Sequence, residues 1–154
     1  MAQGLQVEVG AMWQETIPDT VPTEFWATIE ESRGDPKRFR KMLKEMSREE
    51  IIHFYWTYEE LANLLRTERY WPHVDPDLSE DGLAELANWV VAQGKEYYRG
   101  ILDHPERIPR SKDDAGLMSE VVEEYEHRYK EDLPPNPHEW DDEWKQHGKK
   151  SPWD

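Results

Sequence analysis

The stretch SEDGLAELANWVVAQGKEYY, residues 79–98, contains both a helix start and an amphipathic pattern. The Ser79 side chain can accept hydrogen bonds from helix amides, and Glu80 and Asp81 stand where the helix dipole favours negative charge. A set of apolar residues then recurs at helical spacing: Leu83, Leu86, Ala87, Val90 and Val91. The stretch therefore predicts a helix that begins after Ser79, is interrupted at Gly94, and is followed by a second helix over residues 95–103.

The sequence upstream of this stretch predicts three further helices. Thr23 offers an N-cap for a first helix, which Gly34 ends. Asp35-Pro36 is a favoured start for a second helix over residues 37–46. Ser47 and Glu50 form a capping box before a third helix, expected to end near residue 70. One face of that third helix is apolar: Ile51, Tyr55, Tyr58, Ala62 and Leu65.

Downstream, the chain predicts one more long helix, over residues 117–131. Its buried face consists of Met118, Val121, Val122 and Tyr125, and Pro134, Pro135 and Pro137 stop it. The fold class is therefore all-α, a single compact domain of five or six helices over residues 23–133. Residues 1–22 form an irregular N-terminal arm, with a short strand at residues 5–9. Residues 134–154 form a Pro/Trp-rich acidic C-terminal tail, with a short acidic turn at residues 139–145.

Composition narrows the class of protein. The 154 residues suit one domain, and 36% apolar residues must supply its core with the help of eight Trp and seven Tyr. The absence of Cys excludes disulfides, thiolate metal sites and a Cys nucleophile. No apolar run suits a signal peptide or a bilayer span, so we expect no membrane association and a cytoplasmic location. No nucleotide-binding or nucleophile motif is present, so we expect no cofactor, and a protein without enzymatic activity is favoured.

Charge is the strongest compositional signal. A net charge of −15 would repel phosphate backbones, so we expect no nucleic-acid partner, whereas a basic protein or peptide would be attracted. Residues 120–143 hold ten acidic residues against Arg128 and Lys130, a net charge of −8. Residues 37–48 hold six basic residues against Glu45, a net charge of +5. Both runs are typical of solvated helix faces, and the acidic run would also suit a cationic partner.

Three motifs carry a resemblance to a known family. They are EFWATIE at residues 24–30, SEDGLxxLxxWVVxQG at residues 79–94, and VVEEY at residues 121–125 followed by Leu133-Pro134. The chain thus resembles the bacterial domain of unknown function 4240 family over residues 23–135. The family pattern has Asp, two aromatic residues and Arg where this chain has Glu80, Leu83, Leu86 and Ala87, and a Gly-Gly-Cys run near Asp75. The resemblance implies an all-α fold and brings no reaction with it.

An alternative site surrounds the start of the helix at Ser79. A small enzyme, or a protein that binds a ligand or a divalent ion, would use His73, Asp75, Asp77, Glu80, Asp81 and Trp89. The alternating acids of the loop resemble a calcium loop, but Glu80 stands where the required glycine belongs. A solvated acidic turn and a helix cap account for the same residues. Gly82 costs stability in the first turn of a helix, and the close approach of another backbone would explain it.

Seven of the eight Trp residues divide into two groups. Trp26, Trp56 and Trp89 stand in helical patterns that predict core or half-buried positions, whereas Trp13, Trp140, Trp144 and Trp153 stand in irregular polar segments. The second group either anchors the arm and tail to the domain or docks on a partner.

The leading hypothesis is a non-enzymatic interaction protein, in a role like that of an immunity or inhibitor protein. Its acidic surface would bind a basic protein or peptide through Glu120, Glu123, Glu124, Glu126, Trp140, Asp141, Asp142, Glu143 and Trp144.

Overall fold

The computed structural model describes residues 21–137, and six α-helices dominate this part of the chain. In chain order they are α1 (Thr23–Glu31), α2 (Pro36–Glu45), α3 (Arg48–Leu64), α4 (Glu80–Val91), α5 (Lys95–Asp103) and α6 (Leu117–Tyr129). Short 3-10 turns cover Trp71–His73 and Pro105–Arg107. The all-α prediction is confirmed, since residues 21–137 contain no strand. None of the described helices is long and apolar enough to cross a bilayer.

Local capping chemistry sets three of the helix starts. The Asp35 side chain accepts a hydrogen bond from the Arg38 amide at 3.0 Å, and α2 begins at Pro36. Ser47 and Glu50 exchange hydrogen bonds of 3.2 and 2.9 Å, which is the predicted capping box of α3. Ser79 in turn caps α4, so these predictions are confirmed.

The start of α1 differs from the prediction. Thr23 is the first helical residue rather than the N-cap, and Pro22 precedes the helix without a side-chain hydrogen bond. The Phe25 amide donates to the Pro22 carbonyl at 3.0 Å, so the first turn already closes on Pro22. The Thr23 hydroxyl therefore stands one position too late to cap the helix.

The end of α3 also differs from the prediction. The helix ends at Leu64 rather than near residue 70. The Arg66 amide donates to the Asn63 carbonyl and the Thr67 hydroxyl to the Leu64 carbonyl, which tightens the chain into a turn. This turn carries Tyr70 into the core, where it is 0% exposed. Burial of a large aromatic ring overrides the helical pattern of residues 65–70.

The core is organised around α3, which packs against α4 and α6. In addition, α2 packs against α6 and α1, and α5 packs against α4. The apolar residues predicted for the inner faces of α4 and α6 are largely buried, with Leu83 and Val122 only partly so. The central residues of the core are fully or nearly fully enclosed: Ile51, Tyr58, Leu61, Leu65, Leu86, Val90, Val121 and Tyr125. Each such side chain contributes about 1.5–3 kcal/mol through burial.

Side chains from neighbouring helices satisfy the carbonyl groups at several helix ends. The Tyr98 hydroxyl donates to the Leu61 carbonyl and the Tyr58 hydroxyl to the Asn88 carbonyl, each at 2.6 Å. These carbonyls lie in the last turns of α3 and α4, where amide donors within a helix run out. The Asn88 carbonyl also accepts a hydrogen bond from the Ala92 amide at 3.2 Å. Burial raises the pKa of Tyr58 and of Tyr98 well above its ordinary value, so both phenols remain donors.

The three tryptophans that were predicted to be core or half-buried follow that prediction. Trp26 is buried, whereas Trp56 and Trp89 are half-buried. Trp56 Nε1 donates to the Pro134 carbonyl at 2.9 Å, so the start of the predicted tail lies against α3. The other predictions for the arm and tail lie outside the described residues: the strand at residues 5–9, the turn at residues 139–145, and Trp13, Trp140, Trp144 and Trp153.

Candidate functional site

The acidic and basic runs of the sequence lie against each other. Helix α2, which carries most of the basic residues, packs on α6, which carries many of the acidic ones. Arg40 Nη1 lies 3.4 Å from Glu120 Oε1 across this contact. Arg48 Nη2, at the start of α3, lies 2.9 Å from Glu131 Oε1 just beyond α6. Part of the predicted acidic surface is therefore neutralised within the molecule.

Arg128 joins α6 to the end of α2. Its guanidinium donates to Glu124 Oε2 at 2.7 Å, to the Met46 carbonyl at 2.7 Å and to the Leu43 carbonyl at 3.0 Å. Leu43 lies in the last turn of α2 and Met46 caps it, so Arg128 occupies a position that favours a cation. Hydrogen bonds with the Tyr129 hydroxyl and with Glu124 raise the pKa of Arg128 above its ordinary value.

A second cluster involves Glu131, which receives hydrogen bonds from two side chains. The Tyr125 hydroxyl donates to Glu131 Oε1 at 2.7 Å, and Arg48 Nε and Nη2 donate to the same oxygen. These bonds, with Tyr125 contributing most, lower the pKa of Glu131. Glu131 thus remains a carboxylate that holds the end of α6 against the start of α3.

The predicted partner-binding residues consequently fall into three groups. Glu120 and Glu124 take part in ion pairs with Arg40 and Arg128. Glu123 and Glu126 are exposed on α6, and no described residue forms an ion pair with either. The remaining predicted residues lie outside the described part of the chain: Trp140, Asp141, Asp142, Glu143 and Trp144. A groove of about 300 Å³ between α2 and α6 is lined by Arg40, Leu43, Glu120, Glu123, Glu124 and His127.

The start of α4 has a structural role. The Gly82 amide donates to Ser79 Oγ at 3.0 Å, which makes Ser79 the N-cap. A Cβ atom added at Gly82 would lie 2.7 Å from Leu78 Cδ1 and 3.1 Å from Leu78 Cγ. The expectation that another backbone approaches Gly82 is therefore wrong, because the Leu78 side chain fills that space.

The residues of the alternative site make separate contacts with different neighbours and are not gathered around one point. Asp75 Oδ1 accepts a hydrogen bond from the Asp77 amide at 2.9 Å, which shapes the loop before α4. Trp89 lies further along α4. Its ring packs edge-on against the Tyr97 ring, with 5.7 Å between the centroids, and Lys112 Nζ lies 4.9 Å from the Trp89 centroid. Across residues 21–137, no three His, Asp or Glu side chains are grouped so that they could hold a metal ion.

His73 contacts a different part of the surface. It is the last residue of the first 3-10 turn, and this turn packs against the second one. At the second turn, His104 Nδ1 lies 3.5 Å from Glu106 Oε1. A hydrogen bond with its own backbone lowers the pKa of Glu106, and the nearby charges of His104, Arg107 and His73 lower it further. His73 thus belongs to this exposed polar cluster as well as to the loop before α4.

Two further concave surfaces were not predicted from the sequence, although Glu120 of the predicted acidic surface lines the first of them. A cleft of about 470 Å³ lies between the α1–α2 turn, the end of α4 and the start of α6, where Arg33 Nη2 donates to Gln93 Oε1 at 3.0 Å. A groove of about 380 Å³ lies between α1 and the first half of α3. The helix starts on either side of the groove were visible in the sequence, but their spatial proximity was not.

Comparison with known proteins gives one result. The family model described as "Protein of unknown function (DUF4240)" matches residues 22–133. No curated protein and no solved structure gives a significant match to the chain.

Proposed function

Since the chain belongs to the DUF4240 family, whose description assigns no function, we propose from its surface that it is a binding protein for a basic partner. The partner is a basic protein or peptide, and the role is that of a bacterial immunity or inhibitor protein acting in the cytoplasm. The protein acts without catalysis. It binds through the acidic surface on α6 and through the acidic and Trp residues predicted for the tail: Trp140, Asp141, Asp142, Glu143 and Trp144.

The excess of negative charge that remains after internal pairing carries this proposal. Residues 21–137 hold 26 acidic and 16 basic residues, a net charge of −10. The basic residues of α2 and α3 are partly engaged with acidic residues of the same chain, through Arg40–Glu120 and Arg48–Glu131. Glu123 and Glu126 remain exposed on the α6 surface. A partner with the opposite charge would be steered to such a surface over a distance of about one Debye length.

Affinity purification with the full-length chain at low salt, read by mass spectrometry, identifies the partner. The dissociation constant for the purified partner is then measured at rising salt. We expect a partner with a basic net charge, and a dissociation constant that rises by about tenfold or more between about 50 and 500 mM salt. We also expect the Glu123→Gln/Glu126→Gln double variant to associate more slowly, because it removes steering charge.

A matched control variant has the same net charge as the α6 variant. The Glu68→Gln/Glu96→Gln double variant also removes two exposed carboxylates, but from regions outside α6. We expect it to associate faster than the α6 variant. An acidic partner, or a dissociation constant that salt leaves unchanged, would contradict the proposed function.

A further inference from the structure

The groove between α1 and α3 has an apolar floor. The rings of Phe25 and Phe54 lie 4.8 Å apart between centroids, and each residue is 5% exposed. Met46, which is half-buried and flexible, borders the same space. Within residues 21–137, nine residues line the groove: Pro22, Glu24, Phe25, Thr28, Met46, Glu50, His53, Phe54 and Thr57. Its volume of about 380 Å³ falls in the range of known binding sites, about 300–1,000 Å³.

Two carboxylates stand at the rim of this groove. Glu24 lies in the first turn of α1 and Glu50 in the first turn of α3, and both are exposed. The Ser47 amide donates a hydrogen bond to Glu50 Oε1 at 2.9 Å, and this bond fixes the position of the Glu50 side chain. Hydrogen bonds from the backbone and side chain of Ser47 lower the pKa of Glu50, so it carries its charge at neutral pH.

Among the described residues, no cation in the lining balances the charge of the rim. None of the nine described lining residues is Lys or Arg. This distinguishes the groove from the α2–α6 groove, where Arg40 lies among the glutamates. A segment that fills the apolar floor and also places a cation beside Glu24 and Glu50 would therefore match both the shape and the charge of this surface.

We propose that this groove binds a peptide segment of the basic partner, with an apolar side chain on Phe25 and Phe54 and an adjacent Lys or Arg beside Glu24 and Glu50. The inference rests on the proposed function, and it adds the site and the sequence pattern of the partner. An apolar anchor in a pocket with charges at its border is the arrangement in which few residues supply most of the binding energy.

Selection of a displayed library of random peptides on the full-length protein, at low salt, tests this inference. We expect the enriched peptides to place an aromatic or aliphatic residue next to Lys or Arg. Synthetic copies of those peptides are then titrated by fluorescence anisotropy against Met46→Trp, which fills the groove, and against Glu24→Gln/Glu50→Gln, which removes the rim charges. Gln at position 50 keeps the capping-box hydrogen bond. We expect each variant to weaken binding by about tenfold or more.

Matched controls separate the groove from the rest of the surface. Ala27→Trp adds an exposed Trp to α1 outside the groove, and Glu68→Gln/Glu96→Gln removes two exposed carboxylates that belong neither to the groove nor to α6. We expect both to bind the peptides with less than about threefold change. Thermal unfolding checks the fold of each variant, and if Met46→Trp is unfolded, the rim variant alone decides the test.

Two results would overturn the inference. If the enriched peptides are basic but only the α6 variant, Glu123→Gln/Glu126→Gln, weakens their binding, the groove is not their site, while the proposed function stands. If no peptides of the expected pattern are enriched, or if the groove variants bind them normally, the inference fails. The salt dependence of the dissociation constant for the purified partner then tests the proposed function separately.

Discussion

Ser79 shows how one side chain sets the start of a helix. Its hydroxyl oxygen accepts the Gly82 amide, one of the helix amides that lack a partner within the helix. We expect Ser79→Ala to lower the free energy of unfolding by about 1 kcal/mol, measured by urea denaturation. Ser79→Asp keeps an acceptor at the same position and should stay close to the unmodified protein. Equal losses in both variants would show that the hydrogen bond is not the cause.

Tyr70 and Tyr98 are two buried phenols with different surroundings. The Tyr98 hydroxyl donates to the Leu61 carbonyl, whereas the Tyr70 hydroxyl has no hydrogen-bond partner among residues 21–137. Arg69 lies beside the Tyr70 ring, but it donates to the Leu102 carbonyl instead. We expect Tyr98→Phe to cost about 1–3 kcal/mol because it leaves a buried carbonyl unsatisfied.

Tyr70→Phe is the matched comparison, since it removes a hydroxyl that forms no hydrogen bond with any described residue. We expect its free energy of unfolding to equal or exceed that of the unmodified protein. Urea denaturation of both variants side by side gives the comparison. If Tyr70→Phe were as destabilising as Tyr98→Phe, the Tyr70 hydroxyl would have to bind a group of the protein.

At the scale of the element, α2 depends on α6 for its end as well as for its buried face. Phe39 and Leu43 are the buried residues of α2, and the helix is otherwise rich in charge. Arg128 supplies donors to the Leu43 and Met46 carbonyls at its end. The two helices are therefore joined by packing, by an Arg–Glu pair and by a side-chain cap at once.

Arg128→Met tests this junction. Met keeps much of the apolar stem and removes the donors, so we expect a loss of about 1–3 kcal/mol in the free energy of unfolding. Arg128→Lys should recover little of it, because a single ammonium group cannot reproduce the planar array of donors. Lys41→Met, an exposed change on α2, serves as the control and should alter stability by less than about 0.5 kcal/mol. An equal loss in the control would assign the effect to net charge rather than to the junction.

At the scale of the whole molecule, the buried tyrosines make stability sensitive to alkaline pH. Burial raises the pKa of Tyr70 from 10.0 to about 12, and burial also raises the pKa of Tyr58 and Tyr98. Above about pH 10 the folded chain thus holds more protons than the unfolded chain, and the free energy of unfolding falls as pH rises. The contribution of these phenols is complete below about pH 10.

Urea denaturation at several pH values, together with absorbance at about 295 nm, measures this effect. We expect the free energy of unfolding to fall between about pH 10 and 12, and the buried phenols to ionise only as the chain unfolds. Tyr70→Phe should make the fall less steep. Ionisation of all seven tyrosines near pH 10 with helical structure intact would contradict the burial-based explanation.

The fold could be predicted from the sequence to the extent that its signals are local. The caps at Asp35, Ser47 and Ser79 involve residues within one turn of each other, so the sequence contains the whole interaction. The end of α3 could not be predicted in this way, because the burial of Tyr70 competes with the helical pattern. The acidic run could be recognised in the sequence. Its partial pairing with α2 and α3 could not, because the paired residues lie about 80 positions apart in the chain.

By itself, the sequence determined the helical class, most helix starts, the family and the sign of the charge. Capping, periodicity and net charge depend on neighbours in the chain or on composition alone. The tertiary structure decided which carboxylates are paired, which carbonyls at helix ends receive side-chain donors, and where an apolar groove lies beside exposed carboxylates. The reason is physical: hydrogen bonds and ion pairs act over a few ångströms, and only packing brings distant residues that close.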